Sequence, residues 1–205
     1  MSNAVLSFDP QGINDFQAYG MAYRDAALEI WESLGPRARR GAFADMEFVP
    51  VLFLLRHSME LTLKYAALHA RAVLRLHGGN PPYDDDLLST HHLIALYDHA
   101  VQALRRAPGA HLCPSVAMLP RFRPALTDLH RIDPGSYTFR YPVGKDARLA
   151  LPQHFRFSSV NAIGQLVTAS QVLVDLGHEV GEWWEWESQG YFDVHGRPQT
   201  PVLPR

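Results

Sequence analysis

Cysteine is nearly absent: Cys113 is the single one in 205 residues, so no intrachain disulfide can form and the paired-Cys spacing of zinc and redox sites is missing. Long apolar runs are missing as well. The most hydrophobic stretch, Val49 to Leu55, stops at Arg56, far short of the ~20 residues a membrane-spanning helix needs. There is no excess of positive charge, since Lys+Arg number 19 against Asp+Glu 21 for a net charge of -2, which removes the basic balance that usually accompanies duplex nucleic-acid binding. No H-E-x-x-H pattern or Cys/His cluster occurs, and Gly78-Gly79 follows a helical pattern where a phosphate loop would join a strand to a helix. No metal, no cofactor and no ATP hydrolysis are therefore expected. The start, MSNAVLSFDPQG, has neither the basic nor the apolar region of a signal peptide, so a soluble, cytoplasmic protein without membrane contact is expected.

What is present is the material of a packed core, with 47% hydrophobic and 20% charged residues. The length suits a single domain spanning 1–205, with a core over about 13–178 and an aromatic, Pro/Gly-rich tail over 179–205. Phe16, Tyr19, Tyr23, Ala26, Ala27, Ile30, Trp31 and Leu34 recur at spacings of three and four, which predicts an amphipathic helix ending at Gly35-Pro36. From Phe48 to about Leu76 no glycine or proline follows Pro50, and one long helix is predicted, closed by Gly78-Gly79 and followed by an exposed acidic linker, Tyr83 to Asp86. Ser89 or Thr90 is the expected N-cap of a third helix, and a fourth lies within Val116 to His130. Tyr137, Phe139 and Tyr141 alternate before a Gly-Lys-Asp turn, which predicts a short β-like arm or hairpin before a last helix that begins after Phe157. The fold class is thus an all-α bundle of about five helices with a short β-like arm.

The long helix carries the chemistry. Arg56, Glu60 and Lys64 follow one another at intervals of four, and His57 lies three before Glu60, so the four fall on adjoining strips of one face. Two readings stand side by side. In one, the ladder is a structural ion-pair network. In the other, His57 is an acid or base oriented by Glu60, while Arg56 and Lys64 hold an anion such as phosphate. His92, at the start of the third helix, is a further catalytic candidate, and Arg140 and Tyr141, on the extended arm, are ligand-binding candidates. The basic run Arg37 to Arg40 reads as a solvated turn, and Cys113 as an inert packed thiol.

The order of these segments resembles a family of uncharacterised bacterial proteins related to HEPN domains: FQAYGMAYRDAALEIW, then VPVLFLLRHSMELTLKYA, a glycine break, HHLIALYDHA, and IDPGSYTFRYPV before a final helix. Glu60-x-x-x-Lys64 followed by His92-Leu93 is similar to features of the nucleotidyltransferase-associated branch. The resemblance implies a helical bundle, commonly a homodimer, that binds RNA, a nucleotide or a partner such as a cognate antitoxin or a nucleotidyltransferase. Toxin-antitoxin or defence systems are the implied setting. It also implies an alternative activity, metal-independent endoribonuclease, with Arg56 or Arg140 stabilising phosphorane charge. The Arg-x(4–6)-His motif of active members has no clear counterpart at the start of the last helix; Arg148 and His154 come nearest in position, but Pro152 lies between them. A binding or interaction module is the first expectation, the ribonuclease the second, and a structural dimer covered by Trp183-Trp184-Glu185-Trp186 the third. Convergence of the candidates at a wet cleft favours the enzyme, and paired, dry residues favour the structural network.

Overall fold

The computed structural model describes residues 13–38, 48–79, 87–140 and 159–190. Among them are five α-helices: α1, Ile13–Ala38; α2, Phe48–Leu76; α3, Leu93–Arg106; α4, Leu119–Ile132; and α5, Ser159–Ser188. Two short 3-10 turns, Ala110–Leu112 and Pro114–Ala117, link α3 to α4. No strand occurs among the described residues. No described helix is long and apolar enough to cross a membrane.

Helix α2 is the axis of the bundle, packed against α1, α3 and α5. Val51, Leu55, Met59, Leu63, Ala66, Ala70 and Val73 are fully buried along it, as suits a helix that is apolar on nearly every side. Pro50 falls in its first turn, where the missing N–H costs nothing. At the other end Gly78 adopts φ 73°, and the Gly79 N–H reaches back to the Leu74 carbonyl at 2.8 Å, the αL ending predicted from the two glycines. Close helix approach relies on missing side chains. A Cβ on Gly20 would lie 2.7 Å from Thr62 Oγ1, so α1 rests almost backbone to helix on α2.

Several boundaries differ from those predicted. Helix α1 passes Gly35-Pro36 and ends at Ala38, because a proline this near a helix end forfeits a single backbone bond. The upper half of its apolar stripe is not core: Tyr19 is exposed, and Phe16 and Tyr23 are half-buried. Helix α3 is capped by His92, whose side chain accepts from the Ala95 N–H, while Thr90 Oγ1 accepts from the His92 N–H. Helix α4 starts at Leu119 with Pro120 in its first turn, and carries Pro124 inside. The described part of the predicted β-like arm, up to Arg140, is a series of turns with Ser136 at φ 60°. Phe139 is buried while Tyr137 is 41% exposed; residues two apart on a strand would share a face. The rest of the arm, 141–158, lies outside the described residues, and so do the linker Tyr83 to Asp86 and Arg39-Arg40.

The core does not end at 178. Helix α5 continues for another ten residues, and Val180 and Trp183 are buried within the main hydrophobic cluster. Trp183 Nε1 donates to Glu187 Oε1 at 3.1 Å, and Glu187 Oε2 lies 2.8 Å from His77 Nε2, which fastens the end of α5 to the end of α2. Of the tryptophan run, Trp186 alone is substantially exposed, at 43%. Cys113 is buried, and desolvation followed by the nearby Glu179 charge pushes its thiol up to about 12, so it is no nucleophile.

Candidate functional site

The four-residue ladder of α2 is divided by the packing. Arg56, Glu60 and Lys64 point into the bundle and are 0%, 1% and 3% exposed. Arg56 donates to Glu60 Oε2 at 2.8 Å, to the His91 carbonyl at 2.6 Å and to the Asp133 carbonyl at 3.1 Å. Lys64 Nζ donates to Glu60 Oε1 at 3.0 Å and to the Leu88 carbonyl at 2.9 Å. His91 completes the carboxylate from the surface side, with Nδ1 2.8 Å from Glu60 Oε1. An ionised carboxylate accepts only, so His91 carries its proton on Nδ1. Burial alone would raise the Glu60 pKa, but the Lys64 charge and the hydrogen bonds from Lys64, His91 and Arg56 outweigh it and hold the carboxyl below its usual range.

This network ties three separate pieces of chain together. It fixes α2 to the segment before α3 through Leu88 and His91, and to the turn after α4 through Asp133. Asp133 in turn uses Oδ1 to accept the Tyr137 and Thr138 N–H groups at 2.8 and 2.9 Å, while Oδ2 stands 3.4 Å from Arg56 Nε as an ion pair without hydrogen-bond alignment. Arg56 and Lys64, expected to hold an anion, are almost wholly shielded from solvent and are already engaged by the Glu60 carboxylate and by backbone carbonyls. Glu60 engages Arg56, Lys64 and His91 and makes no hydrogen bond to His57, the residue it was expected to orient. The geometry is that of an internal brace.

His57 faces a different environment. Its ring meets Tyr23 of α1 edge-on at 4.6 Å between centroids and lies nearly parallel to Phe53, 5.7 Å away with 11° between planes. The Arg140 guanidinium stands 5.8 Å from the Phe53 ring centre and 5.0 Å from that of Tyr137, both within cation–π range. Tyr19 extends the row at the far side, 6.5 Å from Tyr23. The result is a continuous aromatic face, part stacked and part edge-on and bridged by Arg140 between Phe53 and Tyr137, running from α1 over α2 to the turn beyond α4 and exposed at Tyr19, Tyr137 and Arg140. Burial lowers the His57 pKa; Glu60 opposes the shift, and Arg140, Arg56 and Lys64 reinforce it, so the ring is neutral at pH 7. Its Nδ1 is buried with no hydrogen-bond partner. Two sequence candidates, His57 and Arg140, are thus brought to one face. Tyr141 lies outside the described residues.

His92 is placed elsewhere, at the start of α3 against His130 of α4. Its Nδ1 accepts from the Ala95 N–H at 3.1 Å, and its Nε2 lies 3.1 Å from His130 Nε2. The proton assignment follows: a neutral His92 whose Nδ1 accepts must carry hydrogen on Nε2 and donate it to His130. His130 then holds its own proton on Nδ1, a buried position without a partner. While this cap is made, His92 Nε2 has no lone pair to offer a metal. No group of three or more His, Cys, Asp or Glu that could hold a metal ion occurs among the described residues. Arg148 and His154, the pair nearest in position to the Arg-x(4–6)-His motif, lie outside the described residues.

Sequence reading missed Tyr23, Phe53 and Tyr137 as members of the face, and Asp133 as a member of the brace. Tyr19/Tyr23 and Phe53/His57 are both i,i+4 pairs and so lie on shared helix faces, but Phe16, Tyr19 and Tyr23 also fit the apolar period of a core stripe. The fold and these two sites define the class: an all-helical bundle with a dry ionic brace and an exposed aromatic–arginine face. No family model, no curated protein and no solved structure matches the chain.

Proposed function

We propose that this protein is an HEPN-like binding module that takes single-stranded RNA on the face formed by Tyr23, His57, Phe53, Arg140 and Tyr137. The observation that carries this reading is the aromatic row bridged by a surface arginine. Successive bases stack on aromatic side chains with little regard to sequence, and an arginine beside them both stacks and meets phosphate. A net charge of -2 fits a ligand held by stacking better than one held by charge alone. The buried brace supports the same reading indirectly. Arg56 and Asp133 shape the turn that presents Tyr137 and Arg140, so Arg56, Glu60 and Lys64 are positioning residues here. A metal-independent endoribonuclease is the second reading, favoured by a neutral His57 beside Arg140: the imidazole would accept the 2'-hydroxyl proton and the guanidinium would stabilise phosphorane charge.

Fluorescence anisotropy with labelled octauridylate in EDTA tests the binding. Tyr137→Ala is expected to weaken it by about 5- to 150-fold, the range for one stacked base. Arg140→Ala should also lower the salt slope by roughly 0.7 for each phosphate that the guanidinium neutralises in the wild type. Unchanged affinity in both folded variants, or no binding by wild type at low salt, refutes the proposal. Gel analysis of the same mixtures for cleavage abolished in His57→Ala separates the ribonuclease from the binder.

A further inference from the structure

His91 occupies the place on the Glu60 carboxylate that spacing assigns to His57. Its Nδ1 lies 2.8 Å from Glu60 Oε1, and the two side chains differ sharply in setting, 1% exposed for the carboxylate and 45% for the imidazole. Because Nδ1 carries the proton of that bond, the neutral ring has its lone pair on Nε2. Among the described residues nothing hydrogen-bonds to this Nε2, so the lone pair is open to solvent. The dyad is held from behind. Arg56 and Lys64 fix the carboxylate at 2.8 and 3.0 Å, and Arg56 also takes the His91 carbonyl at 2.6 Å. An imidazole anchored in this way keeps one tautomer and one orientation, and the carboxylate stabilises the imidazolium that forms when the ring takes up a proton. His57 lacks such an anchor, since its Nδ1 is buried without a partner.

The Arg56 guanidinium also sets the dyad beside the stacking face. Its Nη2 donates to the His91 carbonyl and its Nε to the Asp133 carbonyl, so two backbone stretches meet on one planar group. Asp133 opens the turn that carries Tyr137 and Arg140. That turn is folded back on the Asp133 side chain through the Tyr137 and Thr138 N–H groups, and Arg140 Nε donates to the Ser136 carbonyl within it. We infer that His91, oriented by Glu60, is the general base of a ribonuclease site that acts on RNA whose phosphate is held by Arg140. The inference rests on the single-stranded RNA reading and moves the base of the ribonuclease from His57 to His91. In the step, His91 Nε2 takes the proton of a 2'-hydroxyl, the freed oxygen bonds to the adjacent phosphorus, and the bond from phosphorus to the 5'-oxygen breaks. The leaving oxygen is protonated through water and His91 returns its proton to solvent, so one proton passes from the 2'- to the 5'-oxygen overall. A 2',3'-cyclic phosphate and a 5'-hydroxyl result. His91 is then a catalytic residue and Glu60 a positioning residue.

The test follows end-labelled octauridylate in EDTA at single turnover, with anisotropy on the same samples for binding. Wild type is expected to release fragments ending in a cyclic phosphate, and none from the oligomer with 2'-deoxyribose throughout. His91→Asn keeps an N–H donor for Glu60 but has no basic nitrogen; it should bind octauridylate as wild type does and cleave about 10²–10⁴-fold more slowly, the range for a lost general base. His91→Ala should be equally slow and regain part of the rate when free imidazole is added, a rescue that a merely structural histidine would not show. Binding without cleavage by wild type overturns the inference and leaves the RNA reading standing. Absence of binding overturns both. Cleavage by His91→Asn at the wild-type rate, or loss in His91→Ala that imidazole does not restore, assigns His91 to the brace alone and overturns the inference. Cleavage lost in His57→Ala and kept in both His91 variants returns the base to His57 and overturns it as well.

Discussion

Replacing Glu60 by glutamine removes one charge from the centre of the buried brace and almost no volume. The carboxylate accepts from Arg56 at 2.8 Å, Lys64 at 3.0 Å and His91 at 2.8 Å and is 1% exposed. In Glu60→Gln one of these oxygens becomes an amide that can only donate, so a donor faces a donor, Lys64 loses its buried counter-charge and Arg56 keeps only that of Asp133. Two routes to the cost agree. Breaking a buried ion pair by removing one partner costs about 3–5 kcal/mol; with the amide nitrogen turned to Arg56, one charge-assisted hydrogen bond lost at about 1.5–3 kcal/mol and two others reduced to neutral strength at about 1 kcal/mol each give about 3.5–5 kcal/mol. Urea unfolding at pH 7 should show this loss directly, and thermal melting should fall by about 6–20 °C for a chain of this size. The control is Arg131→Ala, which breaks an Arg131–Asp128 contact whose side chains are 78% and 66% exposed and should cost about 0–1 kcal/mol. A Glu60→Gln loss of under about 1 kcal/mol, or one equal to the control, would refute the argument that the brace is a desolvated, mutually dependent unit.

Stability should decline in mild acid. His57, His69 and His130 all have pKa values lowered first of all by burial; the unfolded chain therefore takes up protons first as pH falls through about 6.5, and the stability present above that value is lost as pH approaches the folded values. The lowered Glu60 pKa adds a second loss below about 4.5, so melting temperatures that stay level or rise from pH 7.5 to 5 would count against this. Gly109→Ala should cost at least ~1–3 kcal/mol, because Gly109 has φ 84° and its added Cβ would stand 2.8 Å from the Trp183 indole nitrogen; Gly78→Ala, at φ 73° with open space, should cost less by chemical denaturation, and equal losses would contradict the packing argument. Cys113 should react with a thiol reagent at pH 8 at a rate set by unfolding and rapidly in denaturant; stoichiometric labelling of the native protein within seconds would show the thiol to be accessible.

Much of the helical framework is legible in the chain because helix formation is local. An uninterrupted run of good helix formers after Pro50 and a Gly78-Gly79 stop are enough to delimit α2. The described part of the β-like arm, up to Arg140, differs from the prediction because alternation alone cannot tell a strand from successive turns, and Asp133 decides between them there by capping the Tyr137 and Thr138 N–H groups. The α3 cap misled for a similar reason. Thr90 has the better intrinsic preference, but the His91 carbonyl is held by Arg56 and its ring by Glu60, which keeps His91 out of the helix and leaves His92 to cap it.

The candidate site shows the same division. Spacing by fours is enough to make Arg56, Glu60 and Lys64 neighbours, since i and i+4 side chains meet on every α-helix. Spacing cannot say whether that face is wet or dry, because the Leu88, His91 and Asp133 carbonyl oxygens that complete it lie 24, 35 and 77 residues away from the side chains they satisfy. Nor can it separate His57 from its three neighbours, a separation that arises from the direction in which α1 and the turn after α4 approach α2. The sequence by itself determined the helices, the ionic ladder and the stock of aromatic side chains. Tertiary packing alone decided that the ladder is a buried brace and that Tyr23, His57, Phe53 and Arg140 form a face, because burial and long-range partners are properties of how helices meet and not of any one helix.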